Sequence, residues 1–167
     1  MKKHMTIAGA LLATGLLLAP VTVFAADNSQ SGETQLNATV ESTYTLTIPR
    51  STQIAFESES TTLDDLKVTG NVNNQVVTVT AKTDGLLAAT NRTDKATIKY
   101  ALNAGESAYP ADGFVWSEDE LRAGFLNDGD AKTVPLTVAI DSADWAVAKA
   151  GTYAGTITFT AEMTDVK

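Results

Sequence analysis

Carboxylates are the side chains in this sequence that come closest to a grouping suited to chemistry. Glu118, Asp119 and Glu120 are consecutive, and Asp128 lies two positions from Asp130. A glycosidase needs two carboxylates that face each other across a sugar, one of them with a raised pKa. The triplet instead falls where a helix is predicted to begin, and the helix dipole favours acidic residues there. We therefore interpret the triplet as a solvated helix start.

The segment Asn127–Asp130 (NDGD) has oxygen ligands at turn spacing, so it is a candidate for weak calcium binding. It lacks the longer loop and the distal bidentate Glu that an EF-hand uses. We interpret it as a plain turn and predict no metal and no cofactor.

Histidine and cysteine are nearly absent. The only histidine is His4, within the predicted signal peptide, and the sequence has no cysteine. An exported form without His4 has no Ser-His-Asp or Cys-His nucleophile and no zinc site of the usual ligand types. We therefore predict that the protein is not an enzyme, and a hydrolase that relies on carboxylates alone is the weakest of three hypotheses.

Three aromatic residues form the candidate ligand site. Tyr109 and Trp116 flank a Pro/Gly loop (YPADGFV), where binding residues often lie, and Trp145 is the second tryptophan. Together they would offer a stacking surface for sugar. The alternative is that each indole fills one end of a core that has no disulfides, and the sequence favours this second interpretation.

The first 25 residues have the pattern of a secretory signal peptide. Lys2 and Lys3 precede an apolar stretch, and Val23 and Ala25 occupy the −3 and −1 positions of a small-residue cleavage site. We predict cleavage after Ala25, export to the medium or the cell surface, and no membrane span afterwards. Residues 26–35 are polar and predict a flexible leader, and residues 36–167 form the predicted domain.

The predicted exported form is acidic. Loss of Lys2 and Lys3 changes the formal net charge from −8 to −10. Such a surface disfavours electrostatic binding to nucleic acid or to anionic lipid, so we expect neither as a partner.

Period-two alternation dominates the rest of the chain. Apart from the first run, alternating apolar residues occur in six segments: Ser51–Ser58, Leu66–Val72, Gln75–Thr83, Ala96–Asn103, Lys132–Asp141 and Gly151–Met163. Helix is predicted only over Ser117–Gly124, where Ser117 and Glu120 form a capping box and Gly124 is the stop, and for a turn or two within Asp141–Gly151. About seven strands with little helix predict an all-β fold, an antiparallel two-sheet immunoglobulin-like sandwich.

The first run is unusually long. Every even position from Leu36 to Ile48 is apolar or small, and every odd position is polar. Such a strand would extend for roughly 40 Å, about twice the usual length. Two explanations fit: the chain bends near Glu41 and passes from one sheet to the other, or the segment leaves its own domain and pairs with another subunit. In the second case Leu36, Ala38 and Val40 are the assembly strand.

Both ends of the predicted domain resemble a known group of proteins. The run Trp145–Met163, with its Ala-Gly-Thr-Tyr turn, resembles the last strand of bacterial fimbrial and spore-coat-type β-sandwich subunits, and Leu36–Pro49 resembles their first strand. The chain is also similar to cysteine-free domains of Gram-positive WxL-type surface proteins, although it lacks a Trp-x-Leu signature. The resemblance implies a structural role at the cell surface. It also implies that Tyr153 enters the core with its hydroxyl on a backbone group.

The sequence thus predicts a non-enzymatic exported surface protein, a structural or adhesive subunit of an extracellular assembly. Its partners would be other copies of itself or cell-surface proteins, with glycans as a further class. The alternative is a monomeric carbohydrate-binding module that uses Tyr109 and Trp116.

Overall fold

The computed structural model describes residues 32–166. The predicted signal peptide and most of the predicted leader lie outside these residues. Residues 32–42 have no regular secondary structure, and the first strand begins at Thr43. Within the described residues, no helix is long and apolar enough to cross a membrane.

Within residues 32–166, thirteen short strands, two α-helices and one 3₁₀ turn follow in chain order. The strands are β1 (Thr43–Thr47), β2 (Ser60–Thr62), β3 (Leu66–Asn71), β4 (Gln75–Lys82), β5 (Leu86–Ala89), β6 (Thr97–Lys99), β7 (Ala101–Ala104), β8 (Ser107–Ala108), β9 (Phe114–Trp116), β10 (Thr133–Val134), β11 (Leu136–Ala139), β12 (Tyr153–Ala154) and β13 (Thr158–Asp165). The helices are α1 (Glu118–Leu126) and α2 (Ser142–Ala146), and the 3₁₀ turn spans Asp128–Asp130.

The strands form four sheets in which every pair is antiparallel. Their orders are β1-β3-β10, β2-β11-β7-β8, β12-β5-β6 and β13-β4-β9. Some neighbouring strands are parts of one longer run. Pro135 separates β10 from β11 because proline has no N–H to donate to a ladder. The hydrogen bond from the Leu63 N–H to the Leu136 carbonyl extends the pairing of β2 with β11 by one more residue.

The main core lies between these sheets. Alternation in β3 buries Leu66 and Val68, alternation in β4 buries Val77 and Val79, and Leu136 of β11 completes the cluster. All five side chains are fully buried. Since strands of three sheets share one apolar cluster, the prediction of an all-β fold is confirmed, and the arrangement is that of a sandwich.

Helix α1 begins where its sequence predicts. The Ser117 side chain accepts a hydrogen bond from the Glu120 N–H, and the Glu120 carboxylate accepts one from the Ser117 N–H, which completes the capping box. The predicted stop at Gly124 is wrong, because the helix continues to Leu126. Gly124 is buried instead, and a Cβ there would lie only 2.7 Å from the Ala131 Cβ. Close packing therefore explains this glycine.

Two predicted strands differ from the structure. The first is shorter than predicted, because only Thr43–Thr47 pairs with a neighbour. The second, Ser51–Ser58, is a loop: Pro49 precedes it, Glu57 has a φ of 61°, and a turn links the Ser58 N–H to the Ala55 carbonyl. The other predicted strands are present, several of them interrupted.

A substitution of Trp116 tests whether this side chain is buried in the core as described. Its side chain is fully buried and its indole N–H donates to the Lys132 carbonyl. We expect Trp116→Ala to lower the free energy of unfolding by about 3–5 kcal/mol in urea denaturation, because it leaves a large cavity. The matched control is Val115→Ala, since Val115 is 48% exposed. Equal losses from the two substitutions would contradict the burial of Trp116.

Candidate assembly groove

The predicted assembly strand precedes the first sheet. Leu36 is 88% exposed and Val40 is 76% exposed, and Ala38 is exposed as well. Within the described residues, no strand pairs with 36–42, so the predicted passage of this segment into a second sheet of its own domain is not observed.

Strand β1 covers only part of one side of the sandwich. It pairs along β3 from Thr43 opposite Asn71 to Thr47 opposite Lys67, and then ends. β2, which precedes β3 in the chain, pairs only with β11. We call this side of the sandwich the open flank. It runs along β1 and β2 in the first two sheets and along β12 and β13 in the other two sheets.

The last strands form the opposite border of the open flank. β12 and β13 each pair on one side only, with β5 and β4 respectively. In the described part of the chain, nothing pairs with their other side. β13 is eight residues long and has no ladder partner on this side, although the Tyr44 hydroxyl of β1 donates to its Ala161 carbonyl at 3.2 Å. A free edge of this length is a template for another strand.

An apolar groove lies in the open flank where β1 no longer covers it. Its volume is about 1140 Å³. One wall is the loop after β1, residues 48–56, and the other is the segment 148–159. The floor consists of apolar side chains: Leu63, Leu87, Ile98, Tyr100 and Val138. Part of the interior of the sandwich is therefore reachable from this side.

The groove floor belongs to a second apolar cluster, and Leu63 packs against both this cluster and the main core. Ile98, Tyr100, Val138 and Ile140 are its buried members, and Trp145 packs against them. Phe56 stands edge-on to Trp145 with ring centroids 5.7 Å apart, and 73% of Phe56 is exposed. Phe56 therefore adds exposed apolar surface beside this cluster.

The two charged residues that line the groove, Arg50 and Lys149, each form an ion pair. On one rim, Arg50 bonds to Asp64 at 2.7 Å, which ties the loop after β1 to the residues after β2. The hydrogen bond from Arg50 lowers the pKa of the Asp64 carboxyl. On the other rim, Asp94 accepts from Arg92 at 2.7 Å and from Lys149 at 2.9 Å, and these bonds lower the pKa of the Asp94 carboxyl. The charges therefore lie at the rims and the floor is apolar.

The second wall contains the gap between β12, which ends at Ala154, and β13, which begins at Thr158. A close contact at Gly155 explains this gap. A Cβ at Gly155 would lie 2.9 Å from the Leu86 carbonyl oxygen, so glycine lets the chain approach β5 there. The Tyr153 hydroxyl donates to the Lys149 carbonyl at 2.7 Å, so its bond to a backbone group agrees with the expectation from the sequence. Both features position residues 153–157 at the groove.

The candidate ligand residues do not form one exposed surface. Trp116 is fully buried in the main core, so no sugar can stack on it in this structure. Tyr109 is partly buried, stands edge-on to Phe114, and its hydroxyl donates to the Val79 carbonyl at 2.8 Å. The stacking surface of Tyr109 and Trp116 is therefore not observed, and the burial of Trp116 agrees with the core interpretation that the sequence favours. Trp145 alone of the three lines the groove.

The carboxylates serve local structure. The Glu118 carboxylate accepts from the Asn74 N–H at 2.8 Å, and Glu120 pairs with Lys132 at 2.8 Å. Partial burial alone would raise the pKa of Glu120, but its bonds from Lys132 and Ser117 outweigh burial and lower the pKa. Within residues 32–166, no group of three or more potential metal-ligating side chains comes together. The predicted turn at Asn127–Asp130 is a 3₁₀ turn that Asn127 caps.

No protein-family model matches this chain, and no curated protein matches it at a significant level.

The groove itself was not predicted from the sequence. Ile54 and Phe56 were assigned to a strand by their alternation, whereas they line one wall of the groove. The available signals were Pro49 after the first run and the polar residues around Ile54, which disfavour a continuous ladder.

Tyr109 offers a spectroscopic test of this placement. Burial raises the pKa of Tyr109 to about 12, from an ordinary value of 10.0. Its contribution to stability is therefore complete below pH 10 and is lost as the pH rises from 10 towards 12. We expect Tyr109→Phe to remove an ionisation near pH 12 from an ultraviolet titration and to lower the free energy of unfolding at pH 7 by about 1 kcal/mol.

The chain has four tyrosines, and Tyr153, whose hydroxyl bond is exposed, is the control. Tyr153→Phe should leave the late titration in place. If Tyr109→Phe left the titration curve above pH 11 unchanged, the burial of this hydroxyl would be contradicted.

Proposed function

We propose that this protein is a non-enzymatic exported surface protein and that it is a structural or adhesive subunit of an extracellular assembly. Its domain would be an immunoglobulin-like sandwich that follows a signal peptide cleaved after Ala25. The observation that carries the proposal is the uncovered apolar alternation of Leu36, Ala38 and Val40 in a chain whose sandwich has an open flank.

The free energy of burial supports an intermolecular role for this segment. Full burial of a leucine or valine side chain stabilises by about 1.5–3 kcal/mol relative to leaving it in water. Leu36 and Val40 are both largely exposed, and the polar residues Asn37 and Thr39 alternate with them. A segment of this kind matches strand addition, in which ladder hydrogen bonds supply affinity and alternate side chains set the register.

A fold-back within the same chain is disfavoured by the residues that would have to turn. Only Glu41 and Ser42 separate Val40 from β1. A two-residue hairpin needs a positive φ, for which Asn-Gly or a glycine is typical, and Glu-Ser is not such a pair. The segment therefore suits extension away from its own first strand.

Assembly is tested by two variants of equal charge. We expect the chain beginning at Ala26 to form oligomers or fibres in light scattering on a sizing column. We expect the double variant Leu36→Asp and Val40→Asp to stay at the monomer mass, because charges at the apolar positions cannot be buried without cost.

The matched control, Asn37→Asp with Thr39→Asp, adds the same two charges to the polar side of the alternation and should still assemble. A monomeric unsubstituted chain, or equal loss of assembly in both double variants, would contradict the proposed function.

A further inference from the structure

We propose that the apolar groove binds a free long-chain fatty acid, with the acyl chain on the groove floor and the carboxylate at Arg50 and Lys149. The inference goes beyond the proposed function, because it concerns the groove of a single copy and does not depend on assembly. Three properties of the groove carry it: the sign of the charges in its lining, the aliphatic character of its floor, and the hydrogen bonds that already engage its polar groups.

Both charged residues that line the groove are cations, although the protein as a whole is acidic. Arg50 stands on one wall and Lys149 on the other, and no aspartate or glutamate of residues 32–166 is among the lining residues. The full sequence has 20 acidic residues against 12 lysines and arginines. A groove that has only cations in an acidic protein favours a ligand that is apolar along its length and anionic at one end.

Both cations keep hydrogen-bonding capacity beyond their ion pairs. Arg50 uses its Nε and Nη2 for Asp64, which leaves its Nη1 without a partner in the described part of the chain. Lys149 gives one of its N–H donors to Asp94 and keeps the others. Since Asp94 also binds the Nε and Nη2 of Arg92, one carboxylate is shared by two cations and these three side chains are net positive. A ligand carboxylate at Lys149 would neutralise this excess.

The groove floor suits an acyl chain. Its volume of about 1140 Å³ is on the scale of small-molecule sites, which typically measure about 300–1,000 Å³. Four of its side chains are aliphatic and have no hydrogen-bonding group: Leu63, Leu87, Ile98 and Val138. Because the gain from apolar burial is proportional to the area removed from water, a long chain gains more on this floor than a short one.

The polar atoms of the aromatic residues in the lining are already engaged. The Tyr100 hydroxyl shares a hydrogen bond with the Thr83 hydroxyl, and the Tyr153 hydroxyl donates to a carbonyl of the second wall. The Trp145 indole N–H donates to the Ser58 carbonyl. A sugar would need such groups for its own hydroxyls, whereas an acyl chain needs none. The groove therefore favours an aliphatic ligand over a glycan.

Tryptophan fluorescence can locate the bound chain. Trp145 lines the groove and Trp116 is buried in the main core, so a bromine atom on the ligand should quench Trp145 alone. The probe is dodecanoate with bromine at its last carbon, below its micelle concentration. The host is the full exported chain with Leu36→Asp and Val40→Asp, since neither position lines the groove and self-association is removed from the signal. Trp145→Phe removes the reporter and keeps Trp116 as the reference.

We expect saturable quenching in the host and none in Trp145→Phe. In calorimetry with octanoate, decanoate and dodecanoate, the Kd should fall roughly tenfold for each pair of added methylenes, and decanol, the neutral control, should bind more weakly than decanoate. Lys149→Gln should weaken dodecanoate binding about threefold, as loss of an exposed ion pair does. Lys95→Gln, which removes an exposed cation outside the lining, should leave the Kd unchanged.

Absence of saturable quenching, or equal quenching in Trp145→Phe, would overturn the site. Equal affinity for decanoate and decanol, or equal effects of Lys149→Gln and Lys95→Gln, would overturn the assignment of an anionic ligand. Binding to phosphatidylglycerol vesicles without binding to dissolved dodecanoate would overturn the free fatty acid in favour of a membrane surface.

Discussion

The incomplete pairing of the first strand is the constraint on which the rest of this structure depends. β1 matches β3 over five residues and then departs at Ile48, and no strand of residues 32–166 pairs beyond it along that edge. The main core is sealed where Tyr44 and Leu46 reach it, whereas the second cluster around Ile98 stays accessible through the groove. One missing stretch of strand thus accounts for the groove and for the free edge of the last strand.

The parts that the sequence predicts well are those in which local pattern and final environment agree. Alternation predicted the strands that contain Val68 and Val79, because each has one face on the core. The capping box of Ser117 and Glu120 predicted the start of α1, because its bonds lie within four residues. The resemblance to fimbrial and WxL-type proteins stays a prediction.

The parts that failed depend on partners far along the chain. Alternation reports which face of a segment is apolar, but it does not report whether another strand pairs with that segment. The run from Leu36 to Ile48 therefore could not reveal that only its second half pairs with β3. Ile54 and Phe56 alternate for the same reason, yet they line a groove. The burial of Trp116, which the sequence favours, rests on contacts with Lys132 and β4.

The most direct test of the central claim supplies the missing strand in trans. The chain carrying Leu36→Asp and Val40→Asp keeps its open flank but has a disabled assembly strand, and it is titrated with a peptide of residues 34–42. We predict a melting temperature that rises with peptide concentration, because a ligand of the folded state stabilises it. A peptide with Asp at positions 36 and 40 should have no effect. No rise, or the same rise with both peptides, would contradict the account.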